Sequence, residues 1–452
     1  MVERLVVIGG DAAGMSAAST AKRRAGDDLE VIVLERTAWT SYSACGIPYW
    51  VAGDVAGPEG LVARSPEQHR ERGLDVRVGA EVTAIDTADR TVTVRSVDDG
   101  SEQALGFDQL LVATGAEPMR PDVPGSDAPG VHGVQTLDDG CRLIASLTRR
   151  APRRAVVVGA GYIGIEMAEA CKRRGLETTV IDKAAEPMGT LDPDLGRQVH
   201  EAMELMGIGV VTGTTVEAFE SDADGVTGVV AGGRTYAADV VILGLGVRPR
   251  TPLARAAGLP LGAFGGVRVE PSMAVPGLDG VWAAGDCVEV WDRVREAFVY
   301  VPLGTHANKQ GRIAGMNLSG GHEVFQGVVG TAVTKVCELE VARTGLTQGQ
   351  ADAMGHDAVS ATIETTTRAG YFPGAQPMTV RLTAEPYSGR LLGAQIIGKE
   401  GSAIRIDTCA TALWSRMCVQ ELVDLDLAYA PPFSSTWDPI QVAARSLLGE
   451  LR

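Results

Sequence analysis

Two stretches of this chain read alike, and their likeness restricts the fold more than any other feature. The first runs from an apolar strand, Leu5 to Gly9, through a glycine turn into a helix, Ala12 to Arg24, and out into a second strand, Leu29 to Leu34. The second repeats that order roughly 150 residues later, with Ala155 to Gly159, Gly161 to Arg174 and Thr178 to Ile181. A strand, tight turn, helix and parallel strand make the unit that receives a dinucleotide, because backbone amides and the positive helix end can approach a pyrophosphate there. Two copies imply an α/β chain with two Rossmann-like dinucleotide-binding domains and two nucleotides.

The copies differ in quality. Gly159-Ala160-Gly161-Tyr162-Ile163-Gly164 is a complete G-x-G-x-x-G between a strand and a helix. Asp182 follows the next strand, where an acid accepts hydrogen bonds from ribose hydroxyls and repels a 2′-phosphate. NADH is therefore expected, although the neighbouring Lys183 leaves room for NADPH. In the amino-terminal copy, Gly9-Gly10-Asp11-Ala12-Ala13-Gly14, Asp11 replaces the glycine that allows close backbone approach, while Glu35 supplies the ribose acceptor.

Between the copies lie short alternating strands such as Arg90 to Arg95, then a Pro/Gly-rich crossing from Glu117 to Gly130. A second crossing is expected at Gly246-Val247-Arg248-Pro249. From about Gly327 the texture turns β-rich, with segments Met378 to Thr383 and Leu391 to Ile397 and a helix near Ser402 to Met417, which reads as a separate α+β domain.

Cysteines stand at 45, 141, 171, 287, 337, 409 and 418, with no C-x-x-C pair, so no zinc ribbon or secreted disulfide scaffold is expected. Cys45 lies in Ser43-Ala44-Cys45-Gly46-Ile47-Pro48-Tyr49-Trp50. A lone thiol there closes no internal disulfide, but can cycle through a mixed disulfide or a sulfenic acid. At the start of a helix its pKa is expected to be depressed.

Val281-Trp282-Ala283-Ala284-Gly285-Asp286 and Leu110-Leu111-Val112-Ala113-Thr114-Gly115 are apolar strands ending in tight turns. Taken with the two glycine units and Cys45, they make the chain resemble the flavoprotein (pyridine nucleotide) disulfide oxidoreductases over nearly its whole length. The resemblance implies a glutathione-reductase-like fold: residues 1–115 and 247–326 bind FAD, 116–246 bind NAD(P)H, and 327–452 form an α+β dimerisation domain. The cofactor-contacting residues it implies are Gly9, Gly10, Asp11, Ala12, Ala13, Gly14, Glu35, Arg36, Ala113, Thr114, Gly115, Gly159, Gly161, Tyr162, Ile163, Gly164, Glu166, Asp182, Lys183, Gly246, Gly285 and Asp286. Among these, Asp286 would hold the ribityl chain of FAD, and Tyr162 would shield the flavin until nicotinamide displaces it.

The nearest likeness is to the single-cysteine branch that contains coenzyme A disulfide reductase and NADH oxidase. Dithiol members carry a second cysteine where Trp50 stands, so a dithiol mechanism is not expected. The branch often has Asn where Ala44 lies, which makes Ser43 a candidate polar neighbour of the thiol. Gly370-Tyr371-Phe372-Pro373-Gly374 and Ala428-Tyr429-Ala430-Pro431-Pro432-Phe433 resemble segments whose tyrosines reach the partner subunit's cysteine and stabilise a departing CoA thiolate. Lys22-Arg23 resembles a basic pair that contacts CoA phosphates; at a helix C-terminus it equally suits the helix dipole. The resemblance thus implies a homodimer that reduces a small disulfide, most simply CoA disulfide held covalently at Cys45, or else oxygen through a Cys45 sulfenic acid. Peroxidase members place a histidine where Ala12 lies, and polysulfide-reducing members are expected to carry an added rhodanese domain.

The net charge of −16 argues against nucleic acid or an anionic membrane as partner. No apolar run approaches the roughly 20 residues of a membrane span. The start, Met1-Val2-Glu3-Arg4, runs directly into a strand, so a cytoplasmic protein is expected. The six histidines form no metal-binding pattern, so no metal is expected.

Overall fold

The structure is a computed structural model that describes residues 2–149 and 151–452. Its first sheet has five parallel strands in the order Val281–Ala283, Gln109–Val112, Glu3–Ile8, Leu29–Glu35 and Asp75–Val78. The second repeats this plan with Val131–Gly133, Val240–Leu243, Arg154–Val158, Glu177–Ile181 and Gly209–Val211. In both, the opening strand of the glycine unit lies at the centre. The central residues Leu5, Val6 and Val7, like Val156 and Val157, are buried, which is why these strands are continuous apolar runs rather than alternating ones.

The repeat extends beyond the glycine units. Each carries its own three-stranded antiparallel meander, Ala80–Asp86 with Thr91–Ser96 and Glu102–Gly106 in the first, Val216–Asp222 with Gly225–Ala231 and Arg234–Ala237 in the second. The chain passes between the two sheets twice, and the two passages pair antiparallel as Ala116–Pro118 and Val247–Pro249.

The first helix, Ala12–Ala25, packs against Gly304–Leu318 at backbone contact. A Cβ on Gly311 would lie 2.2 Å from the carbonyl oxygen of Ala13, and one on Gly315 would lie 2.4 Å from that of Ala17. Only glycine admits that approach.

The carboxy-terminal sheet is antiparallel, in the order Ala332–Val336, Leu339–Gly345, Leu391–Gly398, Pro377–Ala384, Val359–Thr366. Every residue of its middle strand is buried. The helix expected near Ser402 to Met417 is a 3₁₀ turn, Ala403–Arg405, followed by the nine-residue helix Ile406–Trp414. The last helix is Pro439–Leu448, whose Asp438 accepts the Ile440 amide in a capping box. Among the described residues no helix is long and apolar enough to cross a membrane.

Candidate active site

The two glycine turns are built the same way. Glu35 Oε2 accepts the Gly10 amide at 2.8 Å, and Asp182 Oδ2 accepts the Ala160 amide at 2.5 Å. Each acid also receives a second amide, from Thr37 and Ala184 respectively. Gly14 and Gly164 close the turns: a Cβ on either would lie 1.9 Å from the carbonyl oxygen of Gly9 or Gly159. Neither following helix has a side-chain cap or an acid in its first turn. Their leading amides are thus left for an anionic ligand, and the turns fit a dinucleotide pyrophosphate.

Both turns open into one cleft of about 2700 Å³. It gathers Gly9, Gly10, Asp11, Ala12, Glu35, Arg36, Ala113, Thr114, Gly115 and Asp286 from the first unit, and Gly159, Gly161, Tyr162, Ile163, Glu166, Asp182, Lys183 and Gly246 from the second. Ser43, Cys45 and Arg23 line it too, whereas Ala13, Gly14, Gly164 and Gly285 stand behind its wall. Lys22 also lies outside the lining; its ammonium is engaged at its own helix end by the Leu29 carbonyl and Asp27.

Thr114 and Gly115 hold the passage between the sheets. The Thr114 hydroxyl donates to the Arg250 carbonyl at 2.7 Å, and the Arg250 amide donates to the Gly115 carbonyl. Nearby, the Met119 amide donates to the Gly246 carbonyl.

Cys45 is exposed on a 3₁₀ turn, Ala44–Gly46, that leads into the helix Ile47–Ala52. Trp50, in the position a second thiol would need, is buried among Ile47, Val51 and the residues of the helix Tyr162–Arg173. Arg173 clasps Asp54, with one hydrogen bond of 2.7 Å, and Arg174 donates to the Val51 carbonyl. The redox turn is thereby docked on the second dinucleotide unit. The Ser43 hydroxyl makes no hydrogen bond to the thiol; its backbone amide donates to the Leu61 carbonyl, and its carbonyl accepts from the Gly46 amide.

The expected depression of the Cys45 pKa is reversed. Although its surface reaches solvent, the thiol loses hydration between the cleft walls, which raises it above its usual value; the carboxylates of Glu166 and Asp286 raise it further, and the local backbone only partly offsets them. The helix that follows has six residues, too short for its dipole to outweigh those carboxylates. Glu166 is itself raised by burial, and its Oε1 accepts the Thr334 hydroxyl at 2.6 Å. Asp286 is raised to about 6 by burial.

Sequence reading did not single out Ser41 and His69. Ser41 has φ +46°, an uncommon backbone state for serine. Three contacts hold it: its amide to Gly10, its carbonyl to Ala63, and its hydroxyl to His69 Nε2 at 3.0 Å. Burial, with Arg64 and Arg72 nearby, lowers His69 to about 4, so the ring is neutral at physiological pH. Arg343, on Leu339–Gly345, also lines the cleft near Tyr162. Distance along the chain hid His69 and Arg343, and the backbone state of Ser41 leaves no mark in the sequence.

Tyr371 and Tyr429 lie outside the cleft of their own chain. They are exposed on the carboxy-terminal domain, and the neighbouring Tyr429 phenol raises that of Tyr371.

Comparison with known proteins agrees with this architecture. Residues 3–311 match the pyridine nucleotide-disulphide oxidoreductase family, and residues 331–439 match its dimerisation domain. An NADH oxidase of Methanocaldococcus jannaschii is 35% identical over 451 residues, 99% of each chain. An NAD(P)H coenzyme A polysulfide/persulfide reductase of Pyrococcus horikoshii is 35% identical over 457 residues, again 99% of each chain. That full-length match overturns the expectation that a polysulfide-reducing member needs an added domain. The structure of reduced Bacillus anthracis CoADR-RHD superimposes with a TM-score of 0.95 at 32% identity, covering 99% of this chain and 80% of that one. The family uses FAD and NAD(P)H, for which the two glycine turns are shaped. On sequence and fold together, the chain belongs to the pyridine nucleotide-disulphide oxidoreductases and is an NAD(P)H-dependent flavoprotein disulfide reductase.

Proposed function

We propose that the protein reduces a low-molecular-weight disulfide, CoA disulfide foremost, through a mixed disulfide at Cys45. The supporting observation is the single exposed thiol at the meeting of both dinucleotide turns, with Trp50 filling the place a second thiol would need. Bound FAD and NADH supply hydride and electron-pair transfer. Asp182, anchored by two backbone amides, favours NADH over NADPH by accepting from ribose hydroxyls. Tyr162, on the cleft lining at the second glycine turn, would shield the flavin until nicotinamide displaces it.

Cys45 attacks one sulfur of the disulfide. A Cys45–CoA bond forms, the original S–S bond breaks, and one CoA leaves as a thiolate that takes up a proton. An electron pair from NADH, with the hydrogen it carries and one proton, then cleaves the Cys45–CoA bond, freeing the second CoA and restoring the Cys45 thiol, whose proton the first leaving CoA takes up in each turnover. The balance is one NADH, one proton and one disulfide to NAD⁺ and two thiols. Tyr371 and Tyr429 of the partner subunit stabilise the first leaving thiolate, which explains why both hydroxyls are exposed and remote from their own cleft. Arg23, on the cleft wall, meets the CoA phosphates, with Lys22 behind it at the helix end.

A second reading is supported by Glu166, a raised carboxyl whose charge acts on the thiol. Such an acid suits protonation of a leaving hydroxide in an NADH oxidase cycle, in which Cys45 passes through sulfenic acid and oxygen becomes water.

Anaerobic NADH oxidation on adding CoA disulfide, with Cys45→Ser alongside, separates the two. Rapid turnover lost in the variant is the expected result. NADH consumption only in air would replace the disulfide reading with the oxidase.

A further inference from the structure

Asp11 occupies the N-cap position of Ala12–Ala25, with φ −111° and ψ −152°. An aspartate there ordinarily turns its carboxylate back onto the first-turn amides. This one does not cap its helix; Oδ1 instead accepts the Tyr42 amide at 3.0 Å. Beside it, the Ser41 amide donates to the Gly10 carbonyl at 3.1 Å. The loop leading to Cys45 is therefore pinned to the amino-terminal glycine turn at two consecutive residues. The residue that spoils the glycine pattern is also the one that reaches the redox loop.

The groups facing Asp11 are acids. Glu35 reaches it from the end of Leu29–Glu35 and Asp286 from the turn after Val281–Ala283, while the Tyr42 phenol and the Cys45 thiol both feel its charge. Burial is the largest influence on Asp11 and, with those two carboxylates, lifts it to about 7 against the pull of the Tyr42 and Ala12 amides. A pyrophosphate seated on the same turn adds more negative charge beside it.

We propose that Asp11 is a positioning residue that fastens the Cys45 loop to the flavin site, and that it does so in its neutral form, so that flavin binding is coupled to proton uptake at this carboxyl. The inference rests on FAD occupying the amino-terminal turn. Neutral Asp11 keeps Oδ1 as acceptor for Tyr42 and carries a proton on its other oxygen. Ionised Asp11 sets a third carboxylate against the cofactor phosphates.

Serial dilution of the holoenzyme between pH 6 and pH 9, read by fluorescence of released flavin, tests this without any variant. The apparent Kd should rise about tenfold per pH unit above pH 7, the slope of one linked proton. Asp11→Asn should lose that slope, while the lower-lying contribution of Asp286 remains in both proteins. A flat parent profile between pH 7 and pH 9, or the same slope in Asp11→Asn, overturns the proposal. Hydrogen exchange at Tyr42 reads the positioning role: Asp11→Asn should keep the amide protected, and Asp11→Leu should expose it. Equal protection in the two variants overturns that role. A protein purified without flavin absorbance would overturn both the proposal and the cofactor assignment beneath it.

Discussion

Thr334 donates a 2.6 Å hydrogen bond to Oε1 of Glu166, fastening the carboxy-terminal sheet to the helix that follows the second glycine turn. The same helix is tied again where Glu169 Oε2 accepts the Cys337 amide at 2.7 Å. These bonds fix a carboxyl group whose charge raises the Cys45 thiol. The carboxy-terminal domain thus tunes a cysteine that belongs to the first dinucleotide unit.

Glu166→Gln keeps an acceptor for Thr334 and removes the charge. The Cys45 pKa should fall, and alkylation of the thiol by iodoacetamide near pH 7.5 should quicken a few-fold, since the thiolate is the reacting form. Unchanged kinetics would remove Glu166 from the control of this thiol.

Helix contact through Gly311 should tolerate no side chain. The nearest obstacles to an added Cβ are backbone atoms of Ala13, which cannot turn aside. Gly311→Ala should cost about 3 kcal/mol in denaturant unfolding. Because Ala13 lies in the flavin turn, the variant should also lose flavin more readily.

Asp286, in the turn after Val281–Ala283, is raised by burial from an ordinary carboxylate value to about 6 on folding. The folded chain therefore binds its proton more tightly than the unfolded one. This stabilisation is complete below the unfolded pKa near 3.8 and is lost as pH climbs through about 6. In flavin-free protein the loss should be on the order of 3 kcal/mol. Asp286→Asn should flatten that part of the profile in thermal melts from pH 4 to pH 7.

The glycine units were legible because their signals are local: turn residues, strand and helix lie within one short stretch, and Glu35 and Asp182 perform equivalent bonds in the two copies. Cys45 was legible as a lone thiol for the same reason. Its raised pKa was not, because Glu166 and Asp286 are adjacent only in the folded chain. Asp11 could be read as a departure from the pattern, but its turn toward Tyr42 depends on a loop that comes back from beyond the next strand. Lys22 and Arg23 are neighbours in sequence, yet the helix sends only Arg23 to the cleft wall.

Asp182 holds two backbone amides while facing the cleft, so its carboxylate cannot swing away from a 2′-phosphate. Asp182→Ser should raise the ratio of kcat/KM for NADPH to that for NADH by about tenfold or more, equivalent to about 1.4 kcal/mol. Steady-state kinetics with both nucleotides checks this. A ratio that does not move would shift the discrimination to other residues, Lys183 first.

The exposed tyrosine pair makes a prediction about which chain it serves. Tyr371 and Tyr429 are absent from their own cleft, so in the proposed dimer each Cys45 relies on the hydroxyls of the other chain. Cys45→Ser homodimers should be inactive with CoA disulfide, and Tyr371→Phe/Tyr429→Phe homodimers should retain on the order of one hundredth of the rate, the lower end of a typical general-acid contribution. In a mixed dimer of the two variants, one site combines the serine with both phenylalanines and the other combines an intact Cys45 with intact tyrosines. Action across the interface therefore predicts recovery to about half the parent rate, as one complete site of two. Action within one chain leaves both sites defective and predicts no recovery. Differentially tagged chains purified as mixed dimers distinguish these outcomes in a single assay.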